Sequence, residues 1–199
     1  YSKHGYPTFT LGYAHSINTA KTSSRKLANP EIDEYLHIES YDGVKPYIKA
    51  SDLKHIFDTW ISKNGFTKES VLISRAALIL PYELDTDKYT EYTTLYPQQI
   101  YPCKMSRDEQ LEYITPLQEI YNNTDIGNIN RSTSQYTCEI TNYIQDIIKK
   151  DEVSKEDNIY LCPILSYATA STMYSSGSIY FGMDNQNYRH GILNGSGHP

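Results

Sequence analysis

The stretch that most constrains this chain is Val71–Pro81 (VLISRAALILP), the densest apolar run in the sequence. Its length and the β-branched residues at its start favour a strand over a short helix. Pro81 ends the run, because proline cannot donate a hydrogen bond to a sheet ladder. We expect this strand to be covered on both faces and therefore to be central in its sheet. Arg75 interrupts the run, and we expect it to be structural, with its stem packed and its guanidinium paired with a carboxylate or with strand-end carbonyls.

Composition narrows the class of protein. A chain of 199 residues predicts a single domain over residues 1–199. The net charge of −6 and the lack of a basic stripe argue against a nucleic-acid groove. Tyrosine is in excess, with 20 tyrosines against four phenylalanines and one tryptophan. Such an excess is typical of a β-rich, often extracytoplasmic fold, or of a polar ligand surface with stacking rings such as a glycan site.

Short elements surround the central run. The sequence predicts further strands at Tyr6–Thr19, Tyr35–Ser40, Val44–Lys49, Gln98–Met105, Leu111–Thr115, Gln135–Ile140, Asn158–Ile164, Ser178–Met183 and Tyr188–Leu193. An Asp-Gly turn signal predicts that the second and third of these form a hairpin. Taken together, the predicted elements indicate a mainly β fold: an antiparallel β-sandwich that is jelly-roll-like, with two short inserted helices.

The two helices follow from a change of period. Apolar residues recur at three and four residues over Ser51–Asn64, with Ser51 as the expected N-cap. Trp60 lies on that apolar stripe, so we expect it in the core. The second helix, Thr141–Lys150, has Thr141 as its expected N-cap and an isoleucine face.

No motif for catalysis or for a cofactor occurs in the sequence, and we expect no cofactor. The six histidines form no close pair at ligand spacing, and His190 on a strand favours a structural role. Asp85 and Asp87 resemble part of a calcium site, although a solvated loop explains them as well.

The three cysteines Cys103, Cys138 and Cys162 have no metal-like spacing. Each lies in an apolar or strand-like context. They are typical of buried free thiols, with one disulfide as the alternative in an oxidising compartment.

Three blocks of sequence carry a family resemblance. The first is Tyr35–Asp52, with its aromatic-Asp-Gly turn, and the second is LISRAALILPYE within and after the central run. The third joins the strand-to-helix junction Tyr136–Gln145 to an IYLCP strand and a closing RHGILNGSGHP. In order and spacing these blocks resemble the Bacteroidetes surface or secreted lipoproteins that share a large domain of unknown function, the 4270 family. The chain departs from that family because a closing strand of the P-x-L-x-I-x-Y kind is missing after His198-Pro199.

The resemblance implies a jelly-roll-like sandwich, exported and lipid-anchored through a cysteine outside this chain, at the outer membrane or cell surface of a Gram-negative bacterium. It supplies no catalytic residues. We expect the chain to be part of a longer exported precursor, with polysaccharide or a surface protein as partner, no nucleic acid, and membrane contact only through that anchor.

Two classes of function remain open. The first is a non-catalytic extracytoplasmic module for adhesion or glycan binding, with the loop tyrosines Tyr89, Tyr92 and Tyr96 as candidate sugar-stacking residues. The second is a glycan hydrolase or lyase on a β-sandwich, which needs two carboxylates that meet in space. A structural piece of a larger surface assembly is a third possibility, which the sequence does not separate from the first.

Overall fold

The computed structural model describes residues 34–41, 43–82, 95–107, 112–121, 127–169, 178–184 and 188–198. The predicted strand Tyr6–Thr19 lies outside these residues. The described elements, in chain order, are β1 (Tyr35–Glu39), β2 (Tyr47–Ile48), α1 (Ala50–Lys63), β3 (Ala77–Pro81), β4 (Ile100–Arg107), β5 (Glu112–Pro116), β6 (Ile129–Asn130), β7 (Gln135–Glu139), α2 (Thr141–Lys149), β8 (Ile159–Thr169), β9 (Ser178–Met183) and β10 (His190–Asn194).

All pairings between these strands are antiparallel. One sheet has the order β2-β8-β4-β5, a second has the order β3-β7-β6, and β1 pairs with β10. β8 has 11 residues, so its first half can pair with β2 and β4 while its second half pairs with β9. The predicted mainly β, antiparallel fold with two inserted helices is confirmed, and its several sheets are consistent with a β-sandwich.

The core lies between the sheets and α2. α2 buries Tyr143, Ile144, Ile147 and Ile148 on one face, which confirms the predicted isoleucine face. The strands contribute the buried residues Ile38, Leu80, Ile100, Tyr101, Tyr136, Ile159, Leu161, Ile164 and Leu193. Cys103, Cys138 and Cys162 are buried and free, as expected for structural thiols.

The apolar run Val71–Pro81 is not a central strand, and this prediction is wrong. Only Ala77–Pro81 forms a strand, and among the strands that the structure describes it pairs with β7 alone, at the end of the order β3-β7-β6. The backbone before it bonds to side chains of α2 instead: the Ile73 N–H donates to Gln145 Oε1 (2.8 Å) and the Ala76 N–H to Thr141 Oγ1 (2.9 Å). Because these donors find partners on a helix, the first half of the run lies along α2, and Leu72 remains 84% exposed.

The predicted hairpin between β1 and β2 closes only at its turn. The Gly43 N–H donates to the Ser40 carbonyl (3.1 Å) and the Glu39 N–H to the Val44 carbonyl (2.9 Å). A Cβ at Gly43 would lie 2.3 Å from the Cβ of Glu39, so the turn requires glycine there. Beyond the turn the strands separate, with β1 on β10 and β2 on β8.

Helix α1 begins one residue before the predicted N-cap. Lys49 is at the N-cap position and makes no side-chain cap. The Ala50 N–H is satisfied instead by Asn158 Oδ1 at 3.0 Å, from a residue 108 positions away. The helix ends at Lys63 with Asn64 as its C-cap, and Gly65 takes the left-handed conformation (φ 69°), so the predicted stop at Asn64-Gly65 is confirmed.

Trp60 is not a core residue, and that prediction is wrong. The buried positions of α1 are Ala50, Lys54 and Ile61, so the buried stripe is rotated away from Trp60. Trp60 is 49% exposed and packs against the ring of Phe66, with 5.7 Å between the ring centroids.

Candidate functional site

A cavity of about 520 Å³ lies where β2, the start of α1 and the start of β8 meet. We call it the tyrosine–lysine groove, and it is open to solvent. Its lining residues are Tyr47, Lys49, Ser51, Val153, Ser154, Lys155, Asn158 and Tyr160. The volume falls within the range of about 300–1,000 Å³ that is usual for small-molecule sites.

Two tyrosines form the aromatic part of the groove. The register of β2 on β8 places Tyr47 directly opposite Tyr160, with ring centroids 5.8 Å apart and ring planes at 28°. Since side chains alternate along a strand, the neighbouring Ile48 and Ile159 face the other side, where Ile159 is fully buried. Tyr47 stays 50% exposed. One face of this strand pair therefore lies in the core, while on the other face Tyr47 is exposed and Tyr160 is partly buried against the core.

The wall opposite the tyrosines is a short 3-10 turn, Lys155–Asp157, held by a reciprocal cap. Ser154 Oγ accepts a hydrogen bond from the Glu156 N–H (3.2 Å), and Asp157 Oδ2 accepts one from the Ser154 N–H (3.0 Å). The Tyr143 hydroxyl on α2 donates to the Asp157 carbonyl (2.8 Å). These bonds fix the backbone that carries Lys155.

Asp157 is the anchor of this wall. Burial pushes the pKa of its carboxyl upward, but the hydrogen bond from Lys150, the Ser154 N–H and the charges of Lys150 and Lys104 outweigh it. The pKa therefore lies below the ordinary value of 3.8. The carboxylate is charged at neutral pH and ion-paired with Lys150.

The two walls of the groove are joined by Asn158. Its Oδ1 accepts the first backbone N–H of α1, from Ala50. Because Asn158 directly precedes β8, this bond sets the position of the start of α1, with Lys49 and Ser51, relative to Tyr160.

The charge of the groove is positive. Lys49 and Lys155 both line it, and its lining contains no Asp or Glu. Within the described part of the chain, neither lysine forms an ion pair or a side-chain hydrogen bond. Both ammonium groups are exposed to solvent and can meet an anionic ligand without breaking an internal contact.

A second, shallower cavity of about 360 Å³ continues from the groove past the shared residues Ser51 and Val153. We call it the acidic groove, and its other lining residues are Lys54, His55, Asp58, Asp151 and Glu152. Two of its carboxylates have lysine partners: Lys54 Nζ lies 3.1 Å from Asp58 and Lys68 Nζ lies 3.5 Å from Asp151. Among the described residues, no group of three or more His, Cys, Asp or Glu side chains is arranged to hold a metal ion.

The structure describes only some of the site residues predicted from sequence. Tyr89, Tyr92, Asp85 and Asp87 fall in residues 83–94, outside the described ranges. Tyr96 is described and is 1% exposed, with its hydroxyl donating to the Ile192 carbonyl (3.2 Å). Its ring therefore presents no free face to a ligand.

Arg75 pairs with a carboxylate, as expected of a structural residue. Its Nε lies 3.4 Å from Glu139 Oε2 on β7. Its stem is not packed, however, because the side chain is 73% exposed. This part of the prediction is wrong, and the cause is the edge position of the run that carries Arg75.

Sequence reasoning missed Tyr47, Tyr160, Lys49 and Lys155. The alternation of tyrosine and isoleucine at the ends of two predicted strands is the only local signal, and it is shared by many strands. The β2–β8 register brings the two tyrosines together, and sequence spacing does not reveal that register.

Comparison with known proteins finds no family model, no curated protein and no solved structure that matches the chain. No helix among the described residues combines the length and the apolar character that crossing a membrane requires.

Proposed function

We propose that the protein is a non-catalytic, extracytoplasmic binding module that holds an acidic polysaccharide in the tyrosine–lysine groove. The observation that carries this proposal is the pair of stacked tyrosine rings, Tyr47 and Tyr160, flanked by two lysines that form no ion pair with any described residue.

The tyrosines suit a sugar because each ring has an apolar face and a polar hydroxyl. A pyranose presents the same combination, with C–H groups on its faces and hydroxyls at its edge. Tyr47 is half exposed already, so a sugar ring can cover it without a change in the strand. Ser51, Ser154 and Asn158 line the same cavity with polar side chains.

The lysines select an acidic sugar over a neutral one. Lysine is a compact, strongly hydrated cation, and it gains most from a full negative charge such as a uronate carboxylate or a sulfate. The chain as a whole carries a net charge of −6, so a positive groove is a local exception that opposes the overall repulsion of polyanions. We therefore expect binding to weaken as salt is added.

The cellular location in this proposal comes from the sequence resemblance. Bacteroidetes surface lipoproteins are exported and lipid-anchored, and a polysaccharide module of this kind would lie at the outer membrane or cell surface of a Gram-negative bacterium.

The proposal is tested by calorimetric titration of the protein with polygalacturonate, using a neutral dextran as the comparison polysaccharide. We expect saturable binding of polygalacturonate and at least about tenfold weaker binding by Tyr47→Ala, a loss of about 1.4 kcal/mol. Tyr188→Ala is the matched control, because Tyr188 is similarly exposed (56%) and does not line the groove. Equal binding by the wild type and both variants would overturn the assignment of the groove.

The same titration separates the alternative functions. Release of reducing ends or of unsaturated uronates would identify a hydrolase or lyase, for which the acidic groove supplies Asp58, Asp151 and Glu152. Failure to bind any of a panel of acidic and neutral polysaccharides would instead favour adhesion to a surface protein or a structural role in an assembly.

A further inference from the structure

Two histidines that are 153 residues apart in sequence meet on the β1–β10 strand pair. The register places Glu39 opposite His190 and His37 opposite Ile192. Because side chains alternate, His37 and His190 lie on the same face as diagonal neighbours, while Ile38 and Leu193 are buried on the other face.

The two imidazole rings are arranged end to end. His37 Nδ1 lies 3.0 Å from His190 Nε2, and the ring planes differ by only 11°. The ring centroids are 5.3 Å apart. This distance equals the separation of the two nitrogens plus the distance from each nitrogen to the centre of its own ring. The two nitrogens therefore lie on the line between the centroids, and the contact is an in-plane N–H···N hydrogen bond rather than stacking of faces. One proton is shared between two nitrogens that are both good metal ligands.

We propose that His37 and His190 form a binding site for a divalent transition metal of the zinc and copper group. Neutral imidazole is the ligand that these metals take most often. Two nitrogens bound to one tetrahedral zinc at about 2.0–2.1 Å lie about 3.4 Å apart. The observed separation of 3.0 Å has to open by only about 0.4 Å, with each ring tipping outward by roughly 35° so that both lone pairs meet at the metal.

The movement is available because the pair lies at the surface. His37 is exposed, His190 is half-buried, and the hydrogen bond between the rings is exposed. The proton between the rings moves to the other nitrogen of its own imidazole, so metal binding to the neutral pair releases no proton.

The site supplies two protein ligands, and water would take the remaining positions. No third His, Cys, Asp or Glu joins the pair among the residues that the structure describes. The metal would tie β1 to β10, whose pairing connects the beginning and the end of the described chain. A ligand that binds the folded state only stabilises that state in proportion to its concentration.

The experiment is a calorimetric titration of the intact chain with zinc chloride at pH 7.5, together with thermal unfolding at increasing zinc concentrations. We expect saturable binding, a melting temperature that rises with zinc, and at least tenfold weaker binding by His37→Ala and by His190→Ala. His55→Ala is the control, because His55 is an exposed histidine on α1 that lies beside the carboxylates of the acidic groove. It should bind zinc as the wild type does, and weaker binding by this variant would place the zinc in the acidic groove and overturn the proposal.

Two outcomes would overturn the proposal. One is wild-type protein that takes up no zinc or copper at millimolar metal, and the other is binding that persists unchanged in both single variants. Circular dichroism without metal checks that each variant folds. If a variant does not fold, the wild type decides the question through NMR. At low Cu²⁺ concentration, the imidazole signals of His37 and His190 should broaden before those of the other histidines.

Discussion

The two strand pairs β2–β8 and β1–β10 distribute their side chains over the two faces in the same way, but their ring side chains meet differently. Each buries isoleucine or leucine on one face and presents ring side chains on the other. In β2–β8 the rings lie directly opposite each other, and Tyr47 and Tyr160 stack with their centroids 5.8 Å apart. In β1–β10 they lie on a diagonal, so the edges of His37 and His190 meet nitrogen to nitrogen. Register alone therefore separates a surface suited to stacking from one suited to coordination.

The two pairs also differ in their support. The tyrosine–lysine groove has a wall locked by the buried Asp157, whereas the histidine pair has the β1–β10 pairing beneath it, packed at Gly191 against Tyr96 and Pro97. Removing each support in turn shows how far each surface depends on it.

Loss of the Asp157 carboxylate should have the largest effect. Asp157→Ala removes the charge-assisted hydrogen bonds from Lys150 and from the Ser154 N–H, and we expect the free energy of unfolding to fall by about 3 kcal/mol. Chemical denaturation measures this change. Asp151→Ala is the control, since that carboxylate is almost fully exposed and should leave stability unchanged. An equal loss in both variants would show that Asp157 is not the anchor of the wall.

The same carboxylate predicts a pH dependence. Its pKa in the folded state lies below the ordinary 3.8, so the folded state binds this proton less readily than the unfolded state does. The stabilisation is therefore complete above that value and is lost as the pH falls below 3.8 through the folded pKa. Denaturation of wild type and Asp157→Asn should give stability curves that differ at pH 6 and converge towards pH 2. Curves that stay parallel would contradict the assignment.

Overpacking at Gly191 should have the next effect. A Cβ there would lie 3.1 Å from Ile38 Cγ2 and 3.2 Å from atoms of Pro97 and Tyr96, so the larger Gly191→Val should cost about 1–3 kcal/mol. The histidines are untouched by this change. If they depend on β1–β10 pairing, zinc binding should weaken in the variant while polysaccharide binding at the groove stays as in the wild type. Loss of both would show that the two surfaces are not independent.

Arg75→Ala should have the smallest effect. The ion pair with Glu139 is at the surface, with Arg75 73% exposed, so its loss should change stability by less than about 1 kcal/mol. The variant should leave both binding surfaces intact. Thermal unfolding measures the change in stability, and the two titrations measure binding at the two surfaces. A large drop in melting temperature would show that the run Val71–Pro81 contributes more to stability than its edge position indicates.

Local pattern in the sequence was enough to predict most of the elements. The buried face of α2, the strand Ser178–Met183 and the end of α1 at Asn64-Gly65 follow from periodicity and from glycine. What local pattern does not contain is the partner of each strand. The composition of the apolar run predicts the centre of a sheet, yet the backbone N–H groups of Ile73 and Ala76 donate to side chains of α2.

The same limit explains the site. Tyr47 and Tyr160, like His37 and His190, are more than a hundred positions apart, and only the strand register brings them together. Trp60 shows the complementary error, since a helical stripe identifies an apolar face without giving the angle at which the fold covers it.

The reactivity of the three buried thiols reports on how the folded protein opens. Cys103 and Cys162 lie in the sheet of β4 and β8, and Cys138 lies in the sheet of β7. A thiol reagent reaches them only when the strands part, and burial raises the pKa of Cys138, which keeps its thiol protonated and slows the reaction further. Labelling rates compared between the cysteines would therefore reveal whether the two sheets part together or one before the other.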